Sequence, residues 1–596
     1  MTKIRVADYI VRRLEELGTS HAFMLSGGGM MHLQDALARS KTMHYVCCHH
    51  EQSCAYAAEA YARQLPGLGV AFATGGPGGA NLVTGIVQAW VDSSPVVFLV
   101  GQAKRSETIR GTGLMGLRQY GTFEVDMISI VQSITKYSAF VDDPAMIGVH
   151  LDRALGQALA GRPGPTLLEV PLDVQGALID PATLAREAAP ATPVTVPDAE
   201  VRQVIEWLQR ARRPLILAGH GVRVSGAAEL FRSLCARLNI PVATTQLATD
   251  LLPYDHPLFV GHPGVKGDRA GGFAVQSADT LLVIGCSLHS MTTGYELPLF
   301  APTAMKIQVD PDPLILRREH VGVTHQLQAP VDAFLRALDA AAPSVSFPES
   351  PWHAHCRQLK STLSVFDEPH PTTAGALNYY DVIAALNAHL QGGETIVADA
   401  GSAYYIVGQA IRPKARTRVI LAGGLAQMGY TTGAAIGAAF AAPDRTIIGV
   451  TGDGSFQMNV HDLAVMHHHR LNIKLVVVNN GGYVCIRNTQ HAYFGGLLSG
   501  VDEQTGVSFP DLEQLASAYG VPYARACSNA ELEAALTGAL STRGPLLLEA
   551  KVVREQEILP SVQSQRRPDG TMASKPLHEM YPFLPDERTA ELLMRD

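Results

Sequence analysis

The chain is short of cysteine, of charge and of long apolar runs, and each shortage removes a class of explanation. Eight cysteines among 596 residues are too few for a disulfide scaffold, and no CxxC pair recurs, so neither a cystine framework nor a zinc site is indicated. The thiols are expected to stay free and mostly to fill core. Charged residues make up only 17%, with a net charge of -8 at pH 7 and no basic stripe. Non-specific binding to nucleic acid or to an anionic membrane is therefore not expected. No stretch reaches about 18 apolar residues without a charge or a breaker, so no transmembrane helix is expected. Arg5, Arg12, Arg13, Glu15 and Glu16 interrupt the N-terminal segment where a signal peptide needs an unbroken apolar core. A cytoplasmic protein is expected, with small molecules and other copies of the chain as partners.

What is plentiful is apolar material. Hydrophobic residues make up 47% of the sequence, which excludes global disorder. The length exceeds what one core organises and suggests three or four domains. Short apolar runs alternate with helical patterns from end to end. Strands are predicted at Val70–Thr74, Val96–Val100, Leu167–Val170, Pro214–Ala218, Thr280–Ile284, Lys306–Val309, Thr395–Ala398, Thr446–Val450, Lys474–Val478 and Leu546–Ala550. Helix-length segments such as Gln52–Arg63 and Asp462–Arg470 lie between them. Buried β-branched runs alternating with helices read as parallel α/β units. Two linkers stand out by composition, Pro181–Pro197 and Ala341–Pro351. The fold class predicted is α/β, three doubly wound parallel-sheet domains over 1–180, 190–345 and 355–596.

The sharpest chemical signal is Gly452-Asp453-Gly454-Ser455, directly after one apolar run, and Asn479-Asn480-Gly481-Gly482, directly after the next. Asp453 and Asn480 are 27 positions apart, room for one helix returning to a neighbouring parallel strand. Both clusters then sit at the carboxyl ends of adjacent strands, where open α/β sheets bind ligands. A carboxylate and an amide oxygen are hard donors suited to Mg²⁺, which usually completes its shell with phosphate oxygens and water. The glycines let backbone N–H groups approach those phosphates. The run His467-His468-His469 carries no such signal, because consecutive helical residues face different ways.

GDG followed at this interval by NN resembles the diphosphate motif of thiamine-diphosphate enzymes. The resemblance implies that Asp453, the Asn480 side chain and the Gly482 carbonyl hold Mg²⁺, and that Gly401 and Ser402, after Thr395–Ala398, contact the diphosphate. His49-His50-Glu51-Gln52 with Ala57-Ala58-Glu59-Ala60-Tyr61-Ala62-Arg63 is similar to the RHEQ…AAEGYAR stretch of acetolactate synthases. In that family the glutamate protonates the aminopyrimidine, which makes Glu51 the predicted catalytic acid; an apolar pocket suits the task, since desolvation favours a proton-bearing carboxyl. His50 matches the family's histidine and, with His49, is a candidate proton shuttle. Gly423-Gly424-Leu425-Ala426-Gln427-Met428-Gly429 resembles the GGLGAMG segment, which places Met428 under the bent coenzyme and Ala426 beside its pyrimidine. Phe72–Asn81 resembles the TSGPGATN loop, so the similarity to the acetolactate synthase and pyruvate oxidase family covers nearly the whole chain. It implies an N-terminal pyrimidine-binding domain, a central domain and a C-terminal diphosphate-binding domain. It further implies a homodimer or homotetramer with active sites between subunits.

The departures bear on substrate. Ser287-Leu288-His289-Ser290-Met291 stands where acetolactate synthases have Arg-Phe-Asp-Asp-Arg, which leaves FAD binding uncertain. Phe123-Glu124 replaces a Gln-Glu pair, and Thr489 falls near the position of a tryptophan that selects 2-ketobutyrate. Gly482–Gln490, Leu25–Leu33 and the tail Pro568–Met572 with Pro576-Leu577 resemble instead the acetolactate-synthase-like carboligases of O-antigen and branched-chain sugar pathways. Gly28, Phe123, Arg487 and Gln490 are therefore candidate substrate residues, the last two as hydrogen-bond donors to a polar acceptor. The implied reaction is decarboxylation of a 2-keto acid, pyruvate foremost, with transfer of the acyl unit to a ketone or aldehyde. The alternatives are a decarboxylase, oxidase or C–C bond hydrolase on the same cofactor, or a nucleotide-binding protein that kept the fold without catalysis.

Overall fold

The computed structural model describes residues 3–114, 116–187, 195–318, 321–341, 346–371, 376–567 and 569–595. The middles of both linkers, 188–194 and 342–345, and Pro568 lie outside them. Each of the ten predicted runs coincides with a strand, Thr74 and Thr446 alone falling just outside, and the strands assemble into three six-stranded parallel sheets.

The first sheet holds β1 (His21–Met24), β2 (His44–Cys47), β3 (Gly69–Ala73), β4 (Val96–Gln102), β5 (Tyr137–Phe140) and β6 (Thr166–Pro171) in the order β2-β1-β3-β4-β6-β5. The central sheet holds β7 (Pro214–Ala218), β8 (Val242–Thr244), β9 (Phe259–Gly261), β10 (Thr280–Ile284), β11 (Met305–Asp310) and β12 (His325–Gln328), ordered β9-β8-β7-β10-β11-β12. The third holds β13 (Thr395–Ala398), β14 (Arg418–Leu421), β15 (Ile447–Gly452), β16 (Ile473–Asn479), β17 (Tyr523–Ala526) and β18 (Leu546–Lys551), ordered β14-β13-β15-β16-β18-β17. The first and third sheets thus share one topology and the central sheet has another. In each, the chain turns from building one side of the sheet to building the other, between β1 and β3, between β7 and β10, and between β13 and β15. Such reversals open a crevice at the carboxyl ends of the strands.

Helix α1 (Glu51–Gln64) of the first domain packs on α4 (Tyr430–Ala441) of the third. Their small residues permit close approach: a Cβ added at Gly437 would lie 2.0 Å from the Ala57 carbonyl oxygen. One apolar core runs through both domains as a result. Inside it, the buried Arg63 reaches Glu59 at 3.4 Å, Asp92 at 3.2 Å and the Leu421 carbonyl at 2.8 Å. Burying a guanidinium is tolerable only with such a set of partners.

The chain beyond β18 departs from the expected domain layout. Helix Pro351–Thr362 supplies Trp352, Cys356 and Leu359, and the tail supplies Val562, Leu577, Met580 and Leu592, to the core of the central sheet. Arg269 of the central domain bonds Glu368 and the carbonyls of Met580 and Pro582. The tail is a strap over the central domain.

All eight cysteines are free and five are buried. His467, His468 and His469 are exposed, and no cluster of metal-ligating side chains is found among the described residues. No helix among them is long and apolar enough to cross a membrane.

Candidate active site

At the reversal point of the third sheet, the turns after β13 and β15 face each other. Asp399, fully buried, accepts hydrogen bonds from Ser455 Oγ at 2.6 Å, Thr451 Oγ1 at 3.0 Å and Ala400 N at 2.8 Å. Ser455 Oγ in turn accepts from Gly429 N at 2.8 Å. Asp399 therefore couples Gly401 and Ser402, which open α3 (Gly401–Ala410), to the Ser455 turn and to the Met428 segment. Burial pushes its carboxyl pKa up, against the opposing pull of these donors.

Asp453 Oδ1 accepts from Gly454 N at 2.7 Å, and Oδ2 accepts from Asn480 N at 3.1 Å and Gly482 N at 3.0 Å. These contacts bring the two polar clusters together as the sequence predicts. Asn480 Oδ1 is buried without a partner. An orphaned acceptor of this kind costs about 1–3 kcal/mol unless something binds it. The Gly482 carbonyl also receives no hydrogen bond among the described residues. A carboxylate from one turn and an orphaned amide oxygen and a free carbonyl from the next, drawn together by these bonds, fit a hard, oxygen-seeking cation.

Arg487 braces the same loop. It is fully buried, and its guanidinium donates to the carbonyls of Asn480 at 3.2 Å, Gly481 at 3.4 Å and Arg554 at 2.6 Å. Two of these carbonyls belong to the Asn480–Gly482 loop, which the guanidinium braces from inside, and its Nε lies 3.6 Å from Glu555. Gln490, on the same helix α5 (Val484–Tyr493), exchanges two 3.0 Å bonds with the backbone of Ser499. That closes its own loop.

The segment expected to hold the pyrimidine bends sharply. Ala426 has φ +50° and Gly429 φ +82°, and Met428 is half-buried between them. Asn459 Nδ2 donates to the Gly429 carbonyl at 2.8 Å and to Gln52 Oε1 at 3.3 Å, tying this segment to the first turn of α1. Glu51 heads that turn. It is buried, with Oε2 accepting from Asn81 Nδ2 at 3.0 Å and Oε1 lying 3.1 Å from where a Cβ at Gly78 would be. His50 caps the helix, its Nδ1 accepting from Gln52 N at 3.0 Å, which leaves Nε2 alone for proton traffic. His49 is exposed. Gly28 lies exposed at the first sheet's crevice, and Phe123, 67% exposed with φ +64°, stands on its rim where the Phe123 carbonyl crowds Gly76. Asp399, Asn459 and Asn81 escape sequence reasoning as site residues, although Asp399 and Asn81 lie within motifs that it singles out.

A cavity of about 520 Å³ opens at the central sheet's reversal point and runs to Tyr405 and Ala426. Gly219 and Gly285, at the ends of β7 and β10, leave no room for side chains there. The volume suits a dinucleotide. The charge does not suit its diphosphate: Arg162 is the only cationic side chain in the lining among the described residues, and it already reaches Asp312 at 3.3 Å. The fit to FAD is thus one of shape without the cation.

Comparison with known proteins agrees with this arrangement. The N-terminal TPP binding domain of thiamine pyrophosphate enzymes matches residues 4–122, the central domain 201–338 and the C-terminal TPP binding domain 399–550. Over 582 residues the chain is 31% identical to the acetolactate synthase isozyme 2 large subunit of Escherichia coli K12, covering 96% of this chain and 99% of that one. It is 32% identical over 570 residues to a probable acetolactate synthase large subunit of Methanocaldococcus jannaschii, covering 93% of each. It is 30% identical over 577 residues to chloroplastic acetolactate synthase 1 of Zea mays, covering 94% of this chain and 87% of that protein. The chain belongs to the thiamine-diphosphate-dependent enzymes, as an acetolactate-synthase-like member with three α/β domains.

Proposed function

We propose that the protein decarboxylates pyruvate or a close 2-keto acid and transfers the acyl unit to a carbonyl acceptor, with Mg²⁺ anchoring the diphosphate. The observation that carries this reading is the orphaned Asn480 Oδ1 beside Asp453 and the unbonded Gly482 carbonyl, three oxygen donors awaiting one cation. Bound thiamine diphosphate supplies the electron sink that makes loss of CO₂ possible. Asp453 and Asn480 hold the cation, Gly401, Ser402, Gly452, Gly454 and Ser455 flank the phosphates, and Ala426 and Met428 support the pyrimidine. Glu51 holds a proton at the pyrimidine end, its carboxyl oriented by Asn81. The reaction is redox-neutral and draws no electrons from a flavin.

The two halves of this site sit in domains that each expose apolar surface at the crevice. Leu114, Leu117, Tyr120 and Phe123 are exposed in the first domain, and Ile486, Tyr493, Phe494 and Leu497 in the third. Surface of this kind is what a second subunit covers, which supports a homodimer or larger homo-oligomer with active sites between subunits. The likeness of Gly482–Gln490 to the sugar-pathway carboligases favours a polar, oxygen-rich acceptor. The test is to incubate the protein with pyruvate, thiamine diphosphate, Mg²⁺ and a panel of ketones and aldehydes, and to identify products by mass spectrometry. Acceptor-dependent ligation products with CO₂ release are expected. Acetaldehyde, acetate or acetyl phosphate as the sole product would replace this reading with a lyase, hydrolase or oxidase.

A further inference from the structure

We propose that the buried cluster of Glu59, Arg63 and Asp92 in the first domain is the positioning device for the loop that supports the pyrimidine, resting on the function proposed above. The loop runs from Leu421, the last residue of β14, to Tyr430, the first of α4, with Ala426 and Met428 between them. The cluster holds it at its start, its bend and its end. Arg63 Nη1 donates to the Leu421 carbonyl at 2.8 Å, Asp92 Oδ1 accepts from Gly424 N at 2.8 Å, and Glu59 Oε2 accepts from the Tyr430 hydroxyl. Within the loop, Ala426 N donates to the Ala422 carbonyl at 2.7 Å, so the position of the bend is passed on to Ala426.

The three side chains also hold one another. Arg63 Nη1 reaches Glu59 Oε1 at 3.4 Å and Asp92 Oδ2 at 3.2 Å. Ser94 Oγ donates to Glu59 Oε1 at 2.6 Å, and Gln88 Nε2 donates to Asp92 Oδ2. Rigid elements deliver them: Glu59 and Arg63 lie one turn apart on α1, and Asp92 ends α2 (Pro77–Val91), one turn after Gln88. The contact with the loop is close, because a Cβ at Gly423 would lie 2.3 Å from Asp92 Oδ1. Gly423, Gly424 and Ala426 border the cavity of about 520 Å³, so packing does not enclose this part of the loop. Directed bonds set where it stands.

Stability does not account for the cluster. Arg63 Nε and Nη2 are buried without a hydrogen-bond partner, and an apolar filling of such a site is often as stable or more so. What an apolar filling lacks is direction. Groups around a reacting centre must be held to within about 0.5 Å, and fixed hydrogen bonds from helices achieve that.

The experiment compares wild-type protein with Asp92→Ala, which removes the Gly424 contact, and with Asp92→Asn, which keeps an oxygen for it. A third variant, Gly423→Ala, pushes the loop off Asp92 while leaving all three charges in place. Thiamine diphosphate binding in Mg²⁺ is read by calorimetric titration, the bound coenzyme by near-ultraviolet circular dichroism, and turnover as coenzyme KM, pyruvate KM and kcat. Asp92→Ala and Gly423→Ala are expected to weaken coenzyme binding and lower kcat by about tenfold or more, with an altered dichroism band and pyruvate KM within about twofold of wild type. Asp92→Asn is expected to recover most of the loss. Wild-type coenzyme binding and kcat in Gly423→Ala overturn the assignment, and that variant decides alone if Asp92→Ala does not fold. A uniform loss that matches the unfolded fraction, with the dichroism of the remaining holoenzyme unaltered, overturns it equally. Wild-type protein that binds coenzyme yet releases no CO₂ from pyruvate would overturn the proposed function instead, and the binding and dichroism measurements still read the cluster.

Discussion

The first and third domains are two copies of one strand order put to opposite uses. At the reversal point of the third, the turns carry Asp399, Asp453, Ser455 and Asn480, a polar set that gathers N–H donors and oxygen donors around one spot. At the reversal point of the first, the turns are the glycine-rich Gly27–Gly29 and Gly75–Gly79 segments, and the acid against Gly78 is Glu51 at the head of α1. The topology fixes where a ligand lies, while the turn residues decide which end of it is gripped. On the proposed function, one end takes a cation cage and the other one well-placed proton.

The comparison can be broken first at the cage. Asp453→Ala is expected to abolish Mg²⁺-dependent retention of thiamine diphosphate, measured by gel filtration followed by a thiamine assay. Retention equal to wild type would take the cation away from this turn. The second break is at the proton: Glu51→Gln should retain the coenzyme and lose about 10²–10⁴-fold in kcat, the range for a general acid–base group. Near-normal turnover in that variant would leave Glu51 a helix-capping acid and nothing more. The third tests the join between the copies. Gly437→Ala drives a methyl group into the Ala57 carbonyl and should cost about 3 kcal/mol or more of stability, seen by denaturant titration. An unchanged midpoint would mean that α1 and α4 are less tightly apposed than described.

The smallest effect is electrostatic and sits at the same join. Asp462, fully buried close to α1, has its carboxyl pushed up to about 7 by burial. Its unfolded value is near the usual carboxylate range of about 4, so the folded state holds this proton more tightly. Ionisation then opposes folding, and stability falls as pH rises from about 4 through 7. Asp462→Asn should raise Tm at pH 8 by about 2–4 °C and by less at pH 5, read by scanning calorimetry. A larger gain at pH 5 than at pH 8 would reverse the assigned sign.

Legibility in the sequence followed burial. The ten strands that were read are continuous apolar runs covered on both faces, as in Val96–Gln102 and Ile473–Asn479. Those missed are mostly edge strands, such as His44–Cys47, His325–Gln328 and Tyr523–Ala526, whose polar and exposed residues imitate loops. Asp453 and Asn480 were legible because their motif is local to two strand ends. Asn459 was not, since its contacts to Gly429 and Gln52 span the first and third domains and no short pattern encodes them. The contacts of Arg487 were not legible either: a basic residue after a metal loop suggests a donor to substrate, and only three dimensions show it reaching the carbonyls of Asn480, Gly481 and Arg554.

The tail strap has a consequence for how the molecule is made. The central sheet is complete by Gln328, yet Val562, Leu577, Met580 and Leu592 belong to its core. While a ribosome is still synthesising the third domain, the middle of the chain is left with an apolar face that nothing yet covers. Final closure of the central domain must wait for the strap to emerge, so nascent chains halted near residue 550 should be a preferred substrate for chaperones that bind exposed hydrophobic surface.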